Sequence, residues 1–77
     1  MTLIERNQKM QGTITKIRKN GFIEIKSETY TSVVELLGSY IVRIGDKVKG
    51  NLESLGGETI HNISQDNYMD VFIQDLI

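Results

Sequence analysis

The chain has 77 residues, 39% of them apolar, and a formal net charge of −1 at pH 7. That is room for one small domain with a modest core, and too aliphatic a composition for a disordered charged tail. With no Cys and one His, disulfide frameworks, thiolate metal sites, cysteine nucleophiles and multi-histidine metal centres are excluded.

Alanine is absent, while Ile, Val and Thr together supply 22 residues, a balance that favours sheet over helix. The charge is unevenly spread. Residues 1–26 carry six basic and two acidic side chains, and residues 27–77 carry three basic and eight acidic. The first third is therefore +4 and the remainder −5, a polarity suited to an anionic partner at one end. Met1 to Arg6 has no basic stretch leading into an apolar run, and no apolar run approaches the ~20 residues of a membrane span. A cytoplasmic protein without a membrane segment is expected.

Residues 1–9 read as a lead-in, with Leu3 and Ile4 placed to cover one end of the core. Met10 to Arg18 is rich in β-branched residues and partly alternating, a first strand. Its alternation breaks between Ile14 and Ile17, which predicts a bulge. Asn20-Gly21 is a strong signal for a two-residue hairpin turn of type I′, because that turn needs positive φ at both central positions. Phe22 to Lys26 then alternates cleanly, with Ile23 and Ile25 on one side and Phe22, Glu24 and Lys26 on the other.

Tyr30 to Leu36 reads as a third strand. A short helix is the rival, since Ser32 and Glu35 fit a capping box and Gly38 could stop it. Leu37 to Ile44 form a connection, and Gly45-Asp46 opens the next turn. Lys47 to Ser54 is a fourth strand with Val48 and Leu52 on one face and a bend at Gly50. Gly56-Gly57 is a hairpin turn into a fifth strand, Glu58 to Ile63.

The tail, 64–77, supports two readings equally. As a helix it presents Tyr68, Met69, Phe72, Ile73 and Leu76 as one apolar stripe. As a strand it puts Met69, Val71 and Ile73 on one face and Phe72 with Leu76 on the other. Either form needs to bury apolar surface on the barrel, on a protein partner or on a second copy.

Five short strands with a longer connection after the third predict a mainly β chain, a small barrel over 10–63 with an extra C-terminal segment. Met10-Gln-Gly12-Thr-Ile14, Gly21-Phe22-Ile23-Glu-Ile25, Gly45-Asp-Lys-Val48 and Gly57 to Asn62-Ile63 together resemble the cold-shock branch of the OB-fold family. An SH3-like or Sm-like barrel is the alternative. The resemblance implies a five-stranded OB-like barrel that stacks single-stranded DNA or RNA on aromatics of its outer sheet face. The family's first-strand Trp falls on Lys16, and its Lys-Gly-Phe-Gly-Phe-Ile motif is shortened to Lys19-Asn-Gly-Phe22-Ile. Its Val-Phe-Val-His-Phe motif falls on Ser32 to Leu36, so Phe22 is the stacking residue retained and Glu35 adds a negative charge.

The candidate nucleic-acid-binding residues are thus Phe22 with the cations Lys16, Arg18, Lys19 and Lys26 around the first hairpin. His61 lacks a recognisable partner, Asp66, Asp70 and Asp75 lack calcium-loop spacing, and no glycine belongs to a phosphate-loop motif. No catalytic residue, metal or cofactor is expected. The alternative to nucleic-acid binding is a protein-interaction or inhibitor module acting through the tail stripe.

Overall fold

The computed structural model describes residues 9–77, so the placement expected for Leu3 and Ile4 lies outside the described residues. The elements are β1 (Met10–Ile17), a single 3-10 turn (Lys19–Gly21), β2 (Phe22–Lys26), β3 (Thr31–Leu36), β4 (Lys47–Gly50), β5 (Gly56–Asn62) and β6 (Asn67–Leu76). The strands close into an antiparallel barrel in the order β1-β2-β3-β6-β5-β4, and β4 pairs back onto β1. Among the described residues no helix is long and apolar enough to cross a membrane.

Local chemistry sets the first hairpin. Asn20 and Gly21 both adopt positive φ, 66° and 78°, but the Arg18 amide donates to the Phe22 carbonyl at 2.7 Å, so Lys19 to Gly21 form a three-residue loop where a two-residue turn was expected. The register of β1 on β2 shifts between Ile14 and Lys16, leaving Thr15 as the extra residue where the alternation broke. Ile23 and Ile25 point inward and Phe22 outward, as alternation requires. Residues 32–36 are strand rather than helix: β3 pairs with β2 on one side and β6 on the other, burying Val33 and Val34.

The tail is the main departure from expectation. It is a strand, and it is a stave of the barrel wall rather than an attachment to it. β6 pairs with β5 from Asn67 to Ile73 and with β3 from Val71 to Leu76, and Ile77 continues the ladder with Thr31. Six strands therefore close the barrel where five were expected. Met69 and Ile73 are fully buried in the core, Tyr68 and Phe72 face outward, and Leu76 is half-buried. The helical stripe is divided between the interior and the surface. Without β6, β3 and β5 would each keep an unpaired edge, an arrangement sheets avoid.

β4 stops at Gly50 and residues 51–55 make the turn, so Gly57 is a strand residue opposite Phe72. Leu52 drops from that turn into the core beside Ile14, Ile23, Ile25, Val34, Val48, Ile60, Met69, Val71 and Ile73. The Ser32 hydroxyl donates to the Leu52 carbonyl at 2.6 Å and fixes this plug. Gly12 makes room for it, and Gly50 makes room for Ile60. A Cβ on Gly12 would lie 2.6 Å from Ile25 Cγ2 and 2.8 Å from Leu52 Cδ1, and one on Gly50 would lie 2.7 Å from Ile60 Cγ2. The bend expected at Gly50 is instead a site of close packing.

The β3–β4 connection is tied down at both ends. Tyr40 packs on the core and its hydroxyl accepts from the Asp70 amide at 3.1 Å. Asp46, 6% exposed, accepts through Oδ2 from Asn62 Nδ2 at 3.0 Å and from the Arg43 amide at 2.9 Å, and Gln65 Nε2 donates to both its oxygens.

Candidate nucleic-acid interface

The cations and the aromatic expected to form one site fall into two groups. Lys16, Arg18 and Lys19 are exposed around the first hairpin, with Phe22 half-buried and outward beside them. Lys26 lies at the far end of β2, about 13 Å away at ~3.3 Å per residue. The hairpin group is partly neutralised. Glu24 sits across from Lys16 in register, and its Oε2 accepts from Arg18 Nε at 2.8 Å. Phe22 lies opposite Glu35, which in turn lies opposite Phe72. Glu35 Oε1 accepts from Gln74 Nε2 at 3.0 Å. Two outward phenyl rings thus flank a carboxylate, which is a poor track for a polyanion.

A second group lies on the wall made by β1, β4, β5 and β6. Register places Gln11 beside Lys49, Lys49 beside His61 and His61 beside Tyr68, one outward residue from each strand. The His61 and Tyr68 rings stack, with centroids 4.4 Å apart and planes 13° from parallel. Tyr68 is 68% exposed, so a broad ring face remains open to solvent. Lys9, Lys49, Gly50, Thr59, His61 and Tyr68 line a concavity of about 220 Å³ there.

The hairpin chemistry positions this pair. Asp66 takes a positive φ of 57° in the turn, and Asn62 Oδ1 accepts from the Gln65 amide at 3.1 Å. Those two devices set the register that brings His61 opposite Tyr68. Thr59 Oγ1 donates to Asp70 Oδ1 at 2.8 Å on the adjacent row, and His61 Nε2 lies 3.7 Å from Asp66 Oδ1. A flat aromatic surface beside ammonium groups can hold a planar ring by stacking and a linked anion by charge.

Sequence reasoning missed this pair because the tail's conformation was open. Once the tail is a strand, the turn between Asn62 and Asn67 determines the partner of His61. The period-two spacing of Met69, Val71 and Ile73 was the available signal, and it competed with a helical spacing of equal strength. Among the described residues no group of three or more His, Cys, Asp or Glu is arranged to hold a metal ion. Searches found no family model, curated protein or solved structure that matches the chain.

Proposed function

We propose that this chain is a weak single-stranded nucleic-acid-binding module, an OB-like barrel of cold-shock type to which a sixth strand has been added. The observation that carries the reading is the stacked His61–Tyr68 pair in one cross-strand row with Lys49. A base stacks on the exposed Tyr68 face while Lys49 and Lys9 neutralise backbone phosphates. Lys26, on β2, borders the same wall through its register with Thr13 of β1. Lys16 and Lys19 extend phosphate contact past the first hairpin. Arg18, engaged by Glu24, and Phe22, beside Glu35, are peripheral.

Amide chemical-shift titration with short single-stranded DNA and RNA tests this reading. Localised shifts are expected on β4, β5 and β6 around Lys49, His61 and Tyr68. Tyr68→Ala removes an exposed ring without touching the core and should weaken binding by ~1–3 kcal/mol, roughly 5–150-fold. Phe22→Ala should leave affinity nearly unchanged, and the reverse ranking would move the platform to Phe22. The alternative, a protein-interaction module, is favoured by one feature. Leu37, Ile41 and Ile44, on or flanking the β3–β4 connection, are 56%, 65% and 68% exposed. Absence of shifts with either polymer would turn the search to that connection.

A further inference from the structure

Beside the aromatic row the wall carries a second concavity, built around Thr13. Thr13 is paired on both sides, with Lys26 of β2 and with Lys47 of β4. Adjacent strands lie ~4.8 Å apart, so the two lysines flank one hydroxyl. Lys47 Nζ donates to Thr13 Oγ1 at 3.1 Å. That bond occupies an acceptor site on the oxygen and leaves the hydroxyl proton able to point outward. Gln11, Thr13, Lys26, Ser27, Glu28 and Lys47 line a space of about 260 Å³. Among the described residues neither lysine forms an ion pair, and Glu28 reaches neither within salt-bridge distance.

The lining of this space is rich in donors. Two ammonium groups, the Thr13 hydroxyl and the Gln11 amide can all donate to one guest, whereas Glu28 is the sole carboxylate in the lining. A tetrahedral oxyanion with several acceptor oxygens answers that donor set, and charge-assisted bonds from lysine are the strong kind. The location fits as well. Gln11 is also the register partner of Lys49 in the aromatic row. Lys47 and Lys49 are successive outward residues on β4, about 7 Å apart at ~3.3 Å per residue. The space is therefore a short step from the His61–Tyr68 platform on the same wall.

We infer that the Thr13 concavity is a phosphate subsite. Lys26 and Lys47 supply the charge, Thr13 and Gln11 the hydrogen bonds, and Glu28 opposes the anion and keeps binding weak. The inference rests on the nucleic-acid reading for the origin of the phosphate, either a chain phosphodiester or a terminal phosphate, and not for the subsite's chemistry.

The test is a titration of the full chain with inorganic phosphate, compared with chloride at matched ionic strength and followed by amide shifts. Saturable shifts at Thr13, Lys26 and Lys47 are expected with phosphate only. Lys26→Ala and Lys47→Ala should each weaken phosphate binding several-fold and Glu28→Gln should tighten it. All three positions are exposed, so the native spectrum should survive. Shifts that track ionic strength alone, or that persist in the double lysine variant, overturn the subsite. A 5′-phosphorylated oligothymidylate and its dephosphorylated form then separate the sources. Preference for the former assigns a terminal phosphate, and equal binding sensitive to Lys47→Ala assigns a chain phosphodiester. Tyr68→Ala keeps the failures distinct: it should abolish much of the oligonucleotide binding and leave inorganic phosphate binding intact.

Discussion

Asp46 has to stay ionised to keep the donors gathered around it. Burial works against its charge, but the hydrogen bonds from Asn62, the Arg43 amide and Gln65, together with the Arg43 charge, outweigh it and hold the carboxyl below its ordinary value of 3.8. A carboxylate whose pKa is depressed on folding contributes stability in full above its unfolded pKa, and loses it as pH falls through the folded value. Thermal melts across pH 2–5 should therefore show the native chain losing melting temperature on acidification more steeply than Asp46→Asn does. Parallel curves would remove Asp46 from the acid transition. Asp46→Ala strands the buried Asn62 amide and should cost about 1–3 kcal/mol at neutral pH. At Gly12 the expected penalty is steric. Its missing Cβ would overlap Ile25 and Leu52, so Gly12→Ala should cost about 1–3 kcal/mol by chemical denaturation. These two residues also differ in how far the sequence reveals them. Asn20-Gly21 announces its own geometry because positive φ is a local demand. Nothing local to Gly12 tells that Leu52, forty positions on, will plug the barrel against it.

At the scale of the element, β6 is the instructive case. Tyr68, Met69, Phe72, Ile73 and Leu76 satisfy a helical spacing, and Met69, Val71 and Ile73 satisfy a strand spacing, so local periodicity is degenerate. The choice is made by β3 and β5, whose open edges lie elsewhere in the chain. β2 shows the converse, since Phe22 to Lys26 alternates without a competing helical pattern and its faces follow directly. Because β6 bridges two staves and contributes Met69, Val71 and Ile73 to the core, removing residues 65–77 should abolish cooperative unfolding altogether. A truncated chain that still melts cooperatively would make β6 dispensable. Ile73→Ala, which keeps the strand and empties part of the core, should cost about 2–5 kcal/mol.

Over the whole molecule, the net charge of −1 conceals how the lysines are arranged. Lys9, Lys26, Lys47 and Lys49 come together around two adjoining concavities on one wall, although they are dispersed in sequence. The sequence pointed to the basic first third, but Lys47 and Lys49 lie beyond it and join only through the β1–β4 pairing. Four phosphates neutralised by the wall's lysines imply a log–log salt dependence with a slope of about −3, at ~0.7 per phosphate for a single strand, and contacts from Lys16 and Lys19 would steepen it by the same increment each. Measuring oligonucleotide affinity across a salt series checks this, and Lys49→Ala should flatten the slope by about 0.7. A slope near zero would mean that the wall's lysines do not meet phosphates.

The short fourth stave has one more consequence, for how the barrel breathes. β4 meets β5 through two register pairs, Val48 with Asn62 and Lys49 with His61, extended by the Ile63 amide donating to the Lys47 carbonyl at 2.8 Å, whereas β6 runs ten residues between its neighbours. In hydrogen exchange the β4–β5 seam should open ahead of the rest, at a free energy below that of global unfolding. The proposed wall straddles that seam, so a strand laid across Lys49, His61 and Tyr68 would close it like a suture. Slowed exchange there on adding an oligonucleotide would register binding as a gain in local order.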